Sequence, residues 1–164
     1  MNSIWFDMDG TIAELYKVKD WLPALRSNDW SVYDRCLPRA HYERINDAIE
    51  ALIENGWQVG VITWASKGIE WGKADLDVIT ETKFEWLCRF FPALADGKFA
   101  CIPYGYSKAR FMVEEMHNNY NPYDISYLVD DNKEVRAEWR SHGEQFKTID
   151  ASRSFHRVIE GLVL

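Results

Sequence analysis

Apolar residues fall along this chain in two rhythms. Short, nearly unbroken apolar runs stand at 3–7, 57–62, 99–103, 125–129 and 146–149. Runs of this length suit strands buried on both faces. Between them, apolar residues recur at three- and four-residue spacing, the signature of a helix with one face buried. The clearest case is 42–55, where Ile45, Ala48, Ile49, Leu52 and Ile53 are in phase and Gly56 stands at the C-terminal cap. A second helix is predicted over about 82–91. Thr82 and Glu85 fit a capping box there, Phe84, Leu87, Cys88 and Phe91 form its apolar face, and Pro92 stops it. Ser107 caps a third, over 108–118, with Phe111, Met112 and Met116 inward. The last two are predicted at 134–141, ending at Gly143, and at 154–162, with Phe155, Val158, Ile159 and Leu162 aligned. Residues 64–77 read as a loop. Residues 12–40 are irregular, punctuated by Pro23 and Pro38, with a short helix near 21–26.

Strand and helix alternate throughout, which predicts a parallel sheet covered on both faces. The expected fold is a three-layer α/β/α, Rossmann-like domain over residues 1–164. It has a five-stranded parallel sheet and a small insertion at 14–40, after strand one. Right-handed crossovers bring every strand's C-terminal end to one edge, where such sheets bind ligands.

Composition narrows the picture modestly. A chain of 164 residues suits a single domain. A net charge of −7 argues against general affinity for nucleic-acid backbones or anionic membranes. It leaves room for a small phosphorylated substrate held by a local cation. Cys36, Cys88 and Cys101 have no paired spacing and read as reduced thiols of a cytoplasmic protein. There is no targeting pattern at the start, and no apolar run approaches a membrane span. His41, His117, His142 and His156 fall outside every motif.

The chemistry begins where strand one ends, at Asp7-Met8-Asp9-Gly10-Thr11. Residues i and i+2 of a strand share a face, so the two carboxylates can address one small volume. Like charges that close together call for a cation or a proton, and paired carboxylate oxygens suit Mg²⁺. A bare hairpin turn at Asp9-Gly10 is the competing reading. An EF-hand loop is disfavoured, because Thr11 takes the third acidic position and no glycine follows it. At the other strand ends stand Thr63, then Lys108, then Asp130 and Asp131. Singly, Thr63 could cap a turn, Lys108 could be solvated, and the aspartate pair could cap the next helix. Together they make a coherent phosphate-and-magnesium site.

Phe6-Asp7-Met8-Asp9-Gly10-Thr11, Val61-Ile62-Thr63, Ser107-Lys108 and Leu128-Val129-Asp130-Asp131 have the order and spacing of motifs in the haloacid dehalogenase-like (HAD) hydrolase superfamily, which this chain resembles outside 14–40. Lys83-Phe84-Glu85-Trp86 and Leu128-Val129-Asp130-Asp131 are most similar to 5'(3')-deoxyribonucleotidase-like proteins. The resemblance implies a phosphomonoesterase. In it Asp7 is the nucleophile, forming an aspartyl-phosphate, and Asp9 the proton carrier. Mg²⁺ is held by Asp7, the Asp9 carbonyl and Asp130. Asp131 binds through water or orients Asp130, and Thr11 supports the site from behind. Thr63, the Trp64 N–H and Lys108 hold the phosphoryl oxygens.

Two departures matter. The insertion is short where many members carry a full cap, which implies an open site or closure by a second subunit. Asn132 stands where the nucleotidase-like proteins often have arginine. Trp64, Trp71, Trp21, Trp30 and Tyr16 are candidates to stack on a base, or else pack the irregular segment. The expected substrate is a small phosphomonoester, a nucleoside monophosphate above others. The alternatives are a phosphatase acting on polynucleotide ends and a catalytically silent binding module.

Overall fold

A computed structural model describes residues 1–163; Leu164, the last residue of the expected domain, lies outside the described residues. Five strands, β1 (Ser3–Phe6), β2 (Gln58–Trp64), β3 (Lys98–Ile102), β4 (Ser126–Asp130) and β5 (Phe146–Asp150), form one sheet in the order β3-β2-β1-β4-β5. Every pairing is parallel. The expected α/β/α architecture is therefore the observed one.

The alternation within β1 shows why its run is apolar throughout. Ile4 and Phe6 face the layer of α3 (Tyr42–Glu54), α5 (Pro92–Ala95) and α8 (His156–Gly161), packing with Ile49, Leu94 and Ile159. Trp5 faces the opposite layer, α6 (Lys108–Phe111) and α7 (Lys133–Arg140), with Met112 and Trp139. Burying each such side chain is worth roughly 1.5–3 kcal/mol. The polar groups buried with them are paired: the Trp5 indole donates to Ser3 Oγ at 2.9 Å, and Ser3 Oγ donates to Ser126 Oγ at 2.9 Å.

The insertion carries α1 (Trp21–Arg26) and α2 (Val32–Arg35). Leu15, Ala24, Trp30, Val32 and Tyr33 form a third apolar cluster with Ala65, Leu76, Ile79 and Cys101. Polar bonds add to it. The Trp30 and Trp86 indoles donate to Asp75 Oδ1 and the Cys36 carbonyl, both at 2.9 Å, and Arg89 pairs with Asp34 at 2.6 Å.

One predicted element needs correcting. The helix placed at 82–91 is α4, Ala74–Phe90, and it begins inside the stretch read as a loop. Thr82 is not its cap; its hydroxyl donates to the Val78 carbonyl at 2.7 Å, one turn back in mid-helix. The buried positions are Leu76, Ile79, Lys83, Trp86 and Leu87, whereas Phe84 and Cys88 are exposed. Polar residues Asp75, Asp77 and Thr80 break up the first two turns and hide their periodicity. Beyond α6 the helix at 108–118 widens into a π-helical turn, Met112–Met116. All three cysteines are free, and among the described residues no helix is long and apolar enough to cross a membrane.

Candidate active site

Chain progress along the sheet reverses at β1, between β2 and β4. Such a switch point opens a crevice at the strands' C-terminal ends. The register pairs Phe6 with Val129, so Asp7 and Asp130 leave adjacent strands side by side. The Asp7 N–H donates to the Val129 carbonyl at 2.9 Å and fixes that alignment. Met8, between the aspartates, is buried in the core, and its carbonyl accepts from the amides of Thr11, Ile12 and Ala13 at 2.9–3.0 Å. The chain thus curls tightly around Asp9. Gly10 sits at φ +80°, and a Cβ there would run into the Asp131 carboxylate and the Tyr16 ring. Both the backbone conformation and the close approach require glycine.

Thr11, fully buried, ties the two strand ends together. Its hydroxyl lies 3.3 Å from Asp7 Oδ2, and the Asp131 N–H donates to it at 3.2 Å. Asn132, not the aspartate pair, caps α7. Its Oδ1 accepts from the amides of Glu134 at 2.9 Å and Val135 at 3.2 Å. Asp130 and Asp131 are therefore released from capping. One carboxylate oxygen each from Asp7, Asp130 and Asp131 lie within 4.8 Å of one another.

Lys108 is brought in at the start of α6, behind the Ser107 cap, whose Oγ accepts from the Arg110 N–H at 3.1 Å. The lysine is only 2% exposed, and its ammonium donates to Asp7 Oδ1 at 2.7 Å and Asp130 Oδ2 at 2.8 Å. Burial alone would lower its pKa; Asp130 and Asp7 outweigh that and hold the group charged.

A second buried cation lies opposite. Lys83, 1% exposed, occupies a core slot of α4 and reaches the C-terminal end of β2. Its ammonium donates to Asp9 Oδ2 at 2.7 Å, Thr63 Oγ1 at 3.0 Å and the Trp64 carbonyl at 2.8 Å. It also lies 4.4 Å from the centroid of the Tyr33 ring, which the insertion supplies, and Tyr33 shares a hydrogen bond with Ser66. Burial again works against the charge, and Asp9 above all restores it, with a net upward shift. Sequence reasoning gave Lys83 no place in the site. The signal lay in the helical slots Leu76, Ile79, Lys83, Trp86 and Leu87, where lysine stands in an apolar face. Starting the helix at Thr82 concealed it.

Asp9 itself is pushed above the ordinary carboxylate range, because burial outweighs Lys83 and Asp7 adds repulsion. Burial lifts Asp130 to about 6 despite Lys108, and lifts Asp131 to about 7, with repulsion from Asp7 and Asp130. Among the described residues, two cations, Lys83 and Lys108, pair directly with carboxylates of the group Asp7, Asp9, Asp130 and Asp131, while Arg39 and Arg136 reach only backbone carbonyls of the site, so negative charge is in excess. Hard carboxylate oxygens and surplus charge fit a divalent cation such as Mg²⁺. The Asp9 carbonyl, which accepts no hydrogen bond from the described residues, is available to it.

The site thus gathers Asp7, Asp9, Thr11, Thr63, Lys108, Asp130 and Asp131 at one edge. The Ala65 N–H donates to Ile102 of β3 at 2.8 Å, so the alternation along β2 turns the Trp64 N–H away from β3, toward the side where β1 has ended. Of the aromatic candidates, Trp30 is buried in the insertion's cluster and Trp21 packs edge-on to Tyr16. Trp64 remains at the mouth, with Tyr104 at 4.7 Å and the Lys108 ammonium 5.4 Å from its ring centroid. Trp71, Tyr104 and Tyr106, each 47% exposed, extend this aromatic ledge.

No protein-family profile matches the chain, and no curated protein matches its sequence. Among solved structures, it is similar to the D,D-heptose 1,7-bisphosphate phosphatase from Burkholderia thailandensis. The identity is 17%, the coverage 96% of this chain and 97% of that one, and the TM-score 0.54. At that identity the likeness speaks for a shared fold.

Proposed function

We propose that this protein is a Mg²⁺-dependent phosphatase that hydrolyses small phosphomonoesters, nucleoside monophosphates foremost, through an aspartyl-phosphate. The observation that carries this reading is the grouping at the switch point: Asp7 beside Asp130 and Asp131, with Lys108 spanning Asp7 and Asp130. A fold shared with a named phosphatase supports it.

In this reading a carboxylate oxygen of Asp7 attacks phosphorus, and the bond from phosphorus to the leaving oxygen breaks. The electron pair goes to that oxygen, and Asp9 supplies its proton. Asp9 then takes a proton from a water whose oxygen bonds to phosphorus. The bond between Asp7 and phosphorus breaks, freeing the Asp7 carboxylate and inorganic phosphate. An acid pushed upward by burial suits this double duty near neutral pH. Lys108, the Thr63 hydroxyl and the Trp64 N–H hold the phosphoryl oxygens. Asp7, the Asp9 carbonyl and Asp130 hold Mg²⁺, with Asp131 beside them and Thr11 bracing Asp7 and Asp131. When bound, the ion supplies neutralisation of phosphate charge.

Residues 14–40 act as a reduced cap that walls one side of the site and leaves the aromatic ledge open on another. Trp64 and Tyr104 stand close enough to Lys108 for a planar leaving group to lie on them while its phosphate reaches the cation. Stacking of this kind is worth about 1–3 kcal/mol per base. The test is turnover of an aryl phosphate, nucleoside monophosphates and sugar phosphates, with Mg²⁺ or chelator, by wild type and Asp7→Asn. Mg²⁺-dependent turnover abolished by Asp7→Asn is expected, with nucleotides preferred over sugar phosphates. Equal inertness of both proteins overturns the enzyme reading, and a preference for sugar phosphates overturns the nucleotide one.

A further inference from the structure

The phosphatase reading assigns no task to Lys83, yet its placement is costly. Lysine is almost never fully buried unless paired, and this one stands in a helix slot between Ile79 and Trp86 that an apolar residue would fill without penalty. An ammonium has three N–H donors. All three are engaged within the chain, by Asp9 Oδ2, Thr63 Oγ1 and the Trp64 carbonyl, and the Tyr33 ring lies 4.4 Å from the nitrogen. No donor is left for a phosphate, so Lys83 does not bind substrate. It acts on the groups it holds.

We infer that Lys83 is a positioning residue that fixes the proton-carrying carboxyl of Asp9 by anchoring Oδ2. This rests on the phosphatase reading above. With Oδ2 held, Oδ1 is the oxygen left to carry the proton, since no described residue hydrogen-bonds to it. The transfer itself is unchanged: the Asp9 proton passes to the leaving oxygen as its bond to phosphorus breaks, and Lys83 keeps all its protons. Lys83 also donates to Thr63 Oγ1, which leaves the threonine O–H as a donor toward the crevice. Because Tyr33 packs on the lysine and bonds to Ser66, the insertion holds Lys83 in turn.

A residue acting through the proton carrier betrays itself in the leaving group. An alkyl phosphate needs the proton as its bond breaks, whereas an aryl phosphate with an acidic phenol does not. The experiment measures kcat/KM, which reports the first chemical step, for both substrates. The proteins are wild type, Lys83→Met, Asp9→Asn and the double variant, with Mg²⁺ present and folding checked by thermal melting. Lys83→Met is expected to lower alkyl phosphate turnover about 10²-fold, the cost of misplacing a catalytic group by about an ångström. The aryl phosphate should lose far less, and within the Asp9→Asn background the substitution should add little. If Lys83→Met fails to fold, Lys83→Gln, which keeps an amide donor, carries the comparison with a smaller change in the same direction. Equal losses on both substrates, or an undiminished loss in the Asp9→Asn background, overturn the inference while leaving the phosphatase reading intact. A wild type inert toward both substrates overturns both.

Discussion

Two buried lysines stand on opposite sides of the same sheet edge, and counting their donors separates their roles. Lys108 gives two hydrogen bonds to carboxylates, Asp7 and Asp130. Its third donor has no acceptor among the described residues and is free for a phosphoryl oxygen. Lys83 gives all three, to one carboxylate, one hydroxyl and one carbonyl. The first lies where negative charge is concentrated, and the second beside a single carboxyl, that of Asp9. Similar burial and similar charge thus suit different proposed tasks, and it is the number and kind of acceptors that tell them apart.

Substitutions can break this contrast in a graded way. The largest effect is expected from Asp7→Asn, which removes the proposed nucleophile between the two lysines. Turnover should fall on the order of 10⁴-fold or more for every phosphomonoester, as deletion of a nucleophile does elsewhere; activity assays against an aryl phosphate check it. Lys108→Met should cost about 10²–10³-fold in kcat/KM, the scale of removing one electrostatic stabiliser. Unlike the loss in Lys83→Met, it should be alike for alkyl and aryl phosphates. A strong leaving-group dependence for Lys108→Met would erase the distinction between the two lysines.

Mg²⁺ sharpens the comparison without reference to activity. At a free concentration of about a hundred times its Kd, it should raise the unfolding free energy of the metal-stripped protein by about 2.7 kcal/mol. Asp130→Asn should lose most of that gain in a thermal melt, and Lys83→Met should keep it, because Lys83 touches none of the clustered carboxylates. The smallest effect belongs to the wall behind Lys83. Tyr33→Phe keeps the ring over the ammonium and removes only the hydrogen bond to Ser66. It should cost about 0.5–1.5 kcal/mol of stability by denaturant titration, with Mg²⁺ binding unchanged.

The Lys108 half was legible in the sequence because its groups follow strands. An apolar run ending in an aspartate places that carboxylate at the sheet edge whatever the helices do, so Asp7, Asp130 and Asp131 could be located from pattern alone. The Lys83 half depends on a helix whose first turns are masked by Asp75, Asp77 and Thr80. A start misjudged by two turns hid the buried slot that Lys83 fills. The insertion was harder still. Its buried aromatic residues, Trp30 and Tyr33, are covered by contacts with α4 and β3 that lie far away in sequence, and no local period announces them. Trp30 thus reads equally well as a stacking platform or as a core residue until its partner Asp75 is known.

In the proposed mechanism Asp7 carries the phosphoryl group and Asp9 handles the proton. One measurement isolates both: the reaction of Asp9→Asn with an aryl phosphate in the presence of Mg²⁺, quenched rapidly and read by mass spectrometry. The phenol leaves without help, but the intermediate lacks the group that activates water. This division of roles predicts a burst of phenol approaching one per enzyme molecule, and a phosphoryl adduct on the peptide that bears Asp7. Release of phenol with no adduct on that peptide, or an adduct on another residue, would contradict it.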